Sequence, residues 1–322
     1  MLYGMNIAKL VFPLLTLPYL TRVLSVQSYA AVAYTKSVMS YMQILVDFGF
    51  LLSGTKDVVQ ACQNNQSLGK VTFEILLARI VLTIAAFCAL LVMIFFIPIL
   101  NTNKLFSILS FIPVFLSVFL FDYLFRGIEK MHVIAARFMV MRGISTLFTF
   151  ISIKDDSDIL IIPLLDIAGS LAAIVFILRE LKLLGLTAQD IKLISAFKKL
   201  KTSAVYFISN MATTAFGALN TILIGIFLQG EKIAYWSVSM QLIGAVQALY
   251  TPITDGVYPE MIKSRSARLI KKILLFFMPI VLAGSAFSFL YADSILALAA
   301  GKQYMAASTV FRYLIPVLIF SF

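Results

Sequence analysis

The stretch Val71–Ile99, VTFEILLARIVLTIAAFCALLVMIFFIPI, decides the fold class of this protein. Its only charged residues are Glu74 and Arg79, and the remainder is almost entirely apolar. About 20 consecutive, mostly apolar residues are enough for a helix to cross the hydrocarbon core of a bilayer. The stretch therefore predicts a transmembrane helix.

Comparable apolar runs recur along the whole chain and are separated by short polar breaks. Of the 322 residues, 61% are hydrophobic and 13% are charged, and the mean hydropathy is +0.99. Soluble domains have about 45–50% apolar and about 25% charged residues. We predict an all-α, polytopic membrane protein with about ten transmembrane helices in two lobes. The predicted helices span residues 4–24, 29–54, 71–99, 105–126, 134–153, 159–181, 203–228, 233–256, 273–291 and 307–322.

The longest polar break, residues 182–202, is basic and divides six predicted helices from four. It predicts an N-terminal lobe over 1–181, a cytoplasmic linker over 182–202 and a C-terminal lobe over 203–322. The last apolar run is still apolar at Phe322, and on this ground we expect the second lobe to be truncated.

Charged residues alternate between the two sides of the predicted membrane domain. The even-numbered breaks hold most of the cations, including Lys198-Lys199 and Lys271-Lys272, whereas the odd-numbered breaks hold mainly single cations. Because cytoplasmic loops carry an excess of Lys and Arg, the N-terminus is predicted to be cytoplasmic. The net charge of +11 is thereby assigned to membrane topology, and no nucleic-acid partner is expected.

The residue types that support metal or triad chemistry are scarce. His132 is the only histidine, and the two cysteines have no metal-ligand spacing. We therefore expect no metal, no cofactor and no enzymatic activity.

A polar stripe runs along the second predicted helix. Lys36, Ser40, Gln43 and Asp47 are spaced 4, 3 and 4 residues apart and so share one helical face. Ionisable residues within a membrane are costly and usually face a bundle interior or a water-filled cavity. Two interpretations stay open: the stripe lines a cavity, or it holds neighbouring helices together.

Other apolar segments carry deep polar groups. We expect the deep cations of the first lobe to outnumber its deep acids, so that a cavity there would be cationic and would attract an anion such as phosphate. Nearer the inner end, Asp122 and Arg126 have the spacing of a local i,i+4 ion pair. The candidate site residues outside the stripe are Asn6, Lys9, Arg79, Arg142, Asp166, Asn210 and Asp255.

Segments near both ends of the chain show a family resemblance. Residues 2–6 (LYGMN), 12–24 (FPLLTLPYLTRVL) and 47–50 (DFGF) are similar to the start of polysaccharide flippases of the Wzx type. Residues 301–316 resemble the ninth-to-tenth helix region of the same family. These flippases belong to the multidrug/oligosaccharidyl-lipid/polysaccharide exporter superfamily.

The resemblance implies two helical lobes in a V around a central cavity, in the bacterial inner membrane. The expected substrate is an undecaprenyl-pyrophosphate-linked oligosaccharide repeat unit, which alternating access would move from the cytoplasmic to the periplasmic leaflet. Membrane lipids, a coupling H+ or Na+, a polysaccharide polymerase and a chain-length regulator are the expected partners. The polymer could be O-antigen, capsule or another exopolysaccharide.

Roles for the candidate residues follow from this resemblance. Cationic residues would bind the pyrophosphate and acidic sugars, amides would bind sugar hydroxyls, and acids would tune the cavity or carry a coupling proton. The cations are Lys9, Lys36, Arg79 and Arg142, the amides are Asn6, Gln43 and Asn210, and the acids are Asp47, Asp166 and Asp255.

Three alternatives remain open at the level of the sequence. A cation-coupled multidrug exporter of the same superfamily would favour acids in its cavity. A membrane glycan polymerase or ligase would usually have a large periplasmic loop, whereas every predicted outside break here is short. An inactive, truncated flippase is the third.

Overall fold

A computed structural model describes residues 2–64, 67–186, 193–228, 230–248 and 267–320. Within these ranges the secondary structure is helical, with no β-strand. Each of the ten predicted helices has a helical counterpart, so the all-α fold class is confirmed. The α-helices are α1 Leu2–Val23, α2 Val26–Asp47, α3 Phe50–Gln63, α4 Leu68–Phe96, α5 Pro98–Thr102, α6 Lys104–Leu116, α7 Asp122–Gly127, α8 Met131–Ser152, α9 Ile161–Leu183, α10 Leu193–Phe227, α11 Glu231–Gln247, α12 Ala267–Leu290, α13 Ala292–Ala299, α14 Ser308–Leu314 and α15 Pro316–Phe320.

Six helical segments of the described chain are long and apolar enough to cross a membrane. A seventh is added if the bent pair Leu275–Leu290 and Ala292–Ala299, which meet at 81°, is one span. Large apolar side chains on these segments are strongly exposed, among them Phe95 at 76% and Phe96 at 74%. Such faces suit contact with lipid chains, and the protein is a multi-pass membrane protein.

The second predicted helix is broken between α2 and α3. Phe48 and Gly49 have φ values of 39° and 73°, which end α2 directly after Asp47. A Cβ on Gly49 would lie 2.8 Å from the backbone nitrogen of Phe207 on α10. Glycine meets both conditions, because it tolerates positive φ and leaves room for the neighbouring backbone. The break places Asp47 at a helix end.

A second break interrupts the fourth predicted helix. A 3₁₀ turn over Ser117–Leu120 follows α6, and Phe121 has a φ of 49° before α7 begins. In this turn the Ser117 hydroxyl accepts a hydrogen bond from the Gln43 amide, and the Val118 backbone oxygen accepts one from the Arg79 guanidinium.

The chain contacts divide the molecule into two compact units. Unit 1 comprises Met1–Phe12 and Ala31–Gln229, and unit 2 comprises Pro13–Ala30 and Gly230–Phe322. Helix α1 therefore contributes residues to both units. Helix α10 begins at Leu193, within the predicted linker. The lobes predicted over 1–181 and 203–322 stay a prediction.

Unit 1 has an aromatic and aliphatic core where α3, α4 and α7 meet. Phe50, Ile75, Tyr123 and Phe125 are at most 2% exposed in this core. Nearby, α8 and α9 pack along their lengths at very short range. A Cβ on Gly169 would lie 2.4 Å from the backbone oxygen of Met141, so the two helices can approach this closely because glycine has no side chain.

Unit 2 is built around the buried ring of Tyr304. This ring makes edge-to-face contacts with Tyr29, at 5.9 Å between centroids, and with Tyr235, at 6.1 Å. The Arg22 guanidinium donates to the backbone oxygen of Leu298 at 2.6 Å. Residues 13–30 are thus tied to segments far along the chain.

Candidate functional site

The polar stripe of α2 contacts side chains from several other segments of unit 1. At its C-terminal end, the Gln43 amide donates to the Asp47 carboxylate at 3.0 Å and to the Ser117 hydroxyl at 2.9 Å. The Arg79 guanidinium of α4 donates to the same Asp47 oxygen at 2.7 Å. We call Gln43, Asp47, Arg79 and Ser117 the Asp47 cluster.

The ion pair in the Asp47 cluster is asymmetric. The Arg79 side chain is 6% exposed, whereas that of Asp47 is 41% exposed. Arg79 also reaches the backbone oxygen of Val118 at 3.4 Å. The buried Arg79 guanidinium is therefore neutralised by Asp47, whereas part of the Asp47 carboxylate is exposed at the protein surface.

A second asymmetric pair joins Asp122 of α7 to Arg137 of α8. The guanidinium donates to both carboxylate oxygens, with the Nε bond to Oδ1 at 2.7 Å. The predicted Asp122–Arg126 pair is wrong: among the described residues the ion-pair partner of Asp122 is Arg137. The Arg137 guanidinium bonds both carboxylate oxygens at once, and its side chain is 8% exposed, so the buried arginine takes the carboxylate as its countercharge.

At the other end of the stripe, Lys36 lies near a third ion pair. Arg142 of α8 and Asp166 of α9 approach to 3.7 Å, and the Ser145 hydroxyl donates to the Asp166 carboxylate at 2.6 Å. The charges of Asp166 and Arg142 both act on the Lys36 ammonium. We call Lys36, Arg142, Ser145 and Asp166 the Lys36 cluster.

The exposed charge changes sign along α2. In the two pairs near Asp47 the carboxylates are 41% and 32% exposed and the arginines 6% and 8%. In the Lys36 cluster the order is reversed, with Arg142 at 47% and its carboxylate partner at 22%. Lys36 is exposed and forms no salt bridge within the described part of the chain. Eleven residues of helix separate the cationic from the anionic end, about 16 Å at 1.5 Å per residue.

The remaining predicted site residues lie partly outside the described structure. The Lys9 ammonium of α1 sits 5.9 Å from the ring centroid of Phe138 on α8, a cation–π distance. Asn6 and Asn210 lie in helices, but their side chains are outside the described residues, as is all of Asp255. Their roles stay predictions.

The sequence analysis missed three groups that the structure brings to the site. Ser117 and Ser145 orient the amide and the carboxylate that they contact, and Arg137 neutralises Asp122. Arg137 had one usable signal, its position inside the apolar run 134–153. Single serines in apolar runs are common packing residues and carry no such signal.

In the described ranges no three acid, histidine or cysteine side chains are placed to hold a metal ion. The fold and the site define a multi-pass helical membrane protein whose first unit carries a stripe of charged side chains.

Comparison with known proteins identifies the family of this chain. The chain belongs to the polysaccharide biosynthesis protein family, whose model matches residues 1–265. Two curated relatives, from Shigella dysenteriae and Escherichia coli K12, are 26% and 24% identical over 265 residues, 82% of this chain. Each is named "Putative O-antigen transporter". The match covers 66% and 64% of their lengths, less than two thirds of either. No solved structure matches the chain.

Proposed function

We propose that this chain belongs to a flippase that moves undecaprenyl-pyrophosphate-linked oligosaccharide repeat units from the cytoplasmic to the periplasmic leaflet by alternating access. The family membership and the relatives' names as O-antigen transporters support this proposal. The structural observation that supports it most directly is the pair of exposed cations in unit 1, Lys36 of α2 and Arg142 of α8.

In this proposal the Lys36 cluster binds the pyrophosphate. A guanidinium supplies a planar fork of N–H donors for phosphate oxygens, and an ammonium adds a compact charge. Asp166, which accepts a hydrogen bond from the Ser145 hydroxyl, lies 3.7 Å from Arg142 and would hold that guanidinium in position. Lys9 extends the cationic surface from α1.

The Asp47 cluster has a different proposed role. Its arginine is buried and neutralised by Asp47, so we assign Arg79 to holding Asp47 rather than to the substrate. The exposed edge of the Asp47 carboxylate is the candidate for a coupling H+ or Na+. The Gln43 amide, and those of Asn6 and Asn210, are the candidates for sugar hydroxyls. Asp255 keeps its predicted role in coupling.

The cellular setting belongs to the same proposal. The relatives are named as transporters, and we propose that this chain likewise transports and catalyses no bond-making reaction. We place it in the bacterial inner membrane with its N-terminus in the cytoplasm, next to a polysaccharide polymerase and a chain-length regulator.

Lipid binding tests the site directly. The purified chain in nanodiscs is titrated with undecaprenyl pyrophosphate and, as the matched control, with undecaprenol. Each charge-assisted hydrogen bond contributes about 1.5–3 kcal/mol, so the pyrophosphate lipid should bind at least about tenfold more tightly. The Lys36→Gln/Arg142→Gln variant should lose this preference, whereas Lys104→Gln, an exposed lysine at the start of α6, should keep it.

Complementation tests transport. A strain lacking its own polysaccharide flippase expresses the chain, and surface glycan is measured together with inner-leaflet lipid-linked intermediates. Restored glycan with cleared intermediates is the expected result. Equal affinity for the two lipids in the nanodisc titration would contradict the proposed pyrophosphate site, whatever the outcome in cells.

One observation favours a second candidate, a cation-coupled drug exporter. The two carboxylates nearest the end of α2 are partly exposed, and acids of this kind attract organic cations. Export of cationic dyes by the chain in a pump-deficient strain, with no binding of the pyrophosphate lipid, would favour this candidate over the flippase.

A further inference from the structure

A cavity lined by residues of α4, of its N-cap and of α10 is separate from the polar stripe. It has a volume of about 440 Å³ and is lined by Ser67, Lys70, Val71, Glu74 and Lys199. Glu74 lies five residues before the arginine of the Asp47 cluster, which turns it about 140° around α4 from that side chain. The cavity and the stripe therefore use different faces of one helix.

The carboxylate of Glu74 is the unexplained group in this cavity. Glu74 is 6% exposed, yet among the described residues no hydrogen bond or ion pair is formed by its side chain. Lys70 is one helical turn away and Lys199 lies across the cavity, and neither comes within 4.0 Å of it in the described structure. The Glu74 oxygens are not among the sealed, unpaired side-chain atoms of the described residues, so the carboxylate opens onto the cavity, where a partner can reach it.

The opposite wall of the cavity favours an anion. The Lys199 ammonium is held at the cavity by the Asp57 carboxylate of α3 at 2.6 Å, which balances its charge, whereas the Lys70 ammonium forms no ion pair within the described residues. Ser67 caps α4, with its hydroxyl accepting from the backbone N–H of Lys70 at 3.3 Å. The amino end of this 29-residue helix carries partial positive charge, which adds to the charges of the Lys70 and Lys199 ammonium groups.

The position of the cavity on α4 puts it at the level of lipid headgroups. The 29 residues of α4 extend over about 43 Å at 1.5 Å per residue, whereas the hydrocarbon core is about 30 Å thick. Because the helix is longer than the core is thick, we place its first turns in the headgroup layer. Glu74 is within two turns of the first residue of α4, so a lipid headgroup can reach it.

We propose that this cavity binds the phosphoethanolamine headgroup of a membrane glycerophospholipid. The phosphate would lie between Lys70, Lys199 and the first turn of α4, and the primary ammonium would donate hydrogen bonds to Glu74. A ligand that carries both charges satisfies both walls of the cavity, whereas a purely anionic headgroup leaves the carboxylate unpaired. The volume is within the range of small-ligand sites.

Lipid exchange measured by native mass spectrometry of the full chain tests this proposal. The protein is equilibrated with ethanolamine, choline or glycerol phospholipids that have identical acyl chains. The choline headgroup has no N–H to donate and the glycerol headgroup has no ammonium. The ethanolamine lipid should be retained about tenfold more than either, the factor that a charge-assisted hydrogen bond supplies.

Variants assign the two halves of the headgroup. Glu74→Gln should remove the preference for ethanolamine over choline, and Lys70→Gln should weaken the retention of both. Glu129→Gln and Lys104→Gln replace exposed residues away from the cavity and should change neither. Soluble glycerophosphoethanolamine should compete only weakly if the lipid, rather than a free phosphate ester, is the ligand.

Three results would overturn the proposal. The first is equal retention of the three lipids by the unaltered chain, a measurement that needs no variant to fold. The second is a preference for the glycerol lipid that Glu74→Gln leaves unchanged, which would make the cavity an anion site. The third is a Glu74→Gln protein that folds and keeps its ethanolamine preference.

Discussion

Replacing Asp47 by asparagine tests the most buried charge of the candidate site. The change keeps the shape of the side chain and removes the countercharge of Arg79, whose side chain is 6% exposed and has one further acceptor, a backbone oxygen at 3.4 Å. Removing one partner of a fully buried pair costs about 3–5 kcal/mol. Because Asp47 is 41% exposed, we expect about 2–4 kcal/mol of lost unfolding free energy.

The reciprocal change should cost less. Arg79→Met leaves an apolar side chain of similar size in the buried position, and the Asp47 carboxylate keeps its exposed edge and its hydrogen bond from Gln43. We expect a loss of about 1–2 kcal/mol. The Asp47→Asn/Arg79→Met double variant should be more stable than Asp47→Asn alone, because the buried charge is gone.

Reversible unfolding of the chain in mixed micelles, followed by the helical circular-dichroism signal, measures these differences. The pair Asp293–Arg312 of unit 2 is the matched control, since its side chains are 45% and 34% exposed and their atoms are 2.8 Å apart. Asp293→Asn should cost less than Asp47→Asn, because water screens the charges of this more exposed pair. The reasoning fails if Asp47→Asn costs no more than Asp293→Asn, or if the Asp47 and Arg79 changes add to within about 0.5 kcal/mol.

Three further predictions concern other parts of unit 1. Gly49→Ala should lose at least about 1–2 kcal/mol, because the residue has a φ of 73° and the backbone of α10 lies 2.8 Å from the added carbon; unfolding in micelles measures it. Asp122→Asn leaves the buried Arg137 without its countercharge and should cost about 2–4 kcal/mol, whereas Arg126→Gln should stay within about 0.5 kcal/mol, and equal losses would contradict the observed pairing. The pKa of Asp155 is held below its ordinary value by hydrogen bonds that the side-chain hydroxyl and the backbone N–H of the serine two residues later donate to its carboxylate. The resulting stabilisation is complete above the ordinary pKa and is lost as the pH falls through the lowered one, and an NMR titration should show the pKa rising when that serine is replaced by alanine.

The helices could be predicted because their apolar runs are long enough to leave little choice. The break at Ser117–Phe121 could not, since its sequence SVFLF contains neither glycine nor proline and reads as uninterrupted helix. The left-handed Phe121 depends on the packing of the core around it, where it is 2% exposed. Local sequence preference is overridden at such a position by tertiary contacts.

The site was predictable one helix at a time. The 4, 3, 4 spacing places Lys36 and Asp47 on one face of α2. In the structure Asp47 pairs with Arg79 of α4, and Lys36 lies near the Arg142–Asp166 pair of α8 and α9. Spacing within a helix says nothing about which residues on other helices are opposite. The deep charges were therefore recognised, while the pairing of Arg79 with Asp47 and of Arg137 with Asp122 required the folded arrangement.

The tie between Arg22 and Leu298 has a consequence for biosynthesis. The two residues are 276 positions apart, and a ribosome adds about 5–20 residues per second. The segment 13–30 is therefore made about 15–55 s before its packing partner exists, at these rates of synthesis. During this interval the arginine lacks the carbonyl that it bonds in the finished protein. An insertase or chaperone that shields residues 13–30 would stay bound to this segment longer than to others. Slowing translation late in the gene should lengthen the lifetime of that complex.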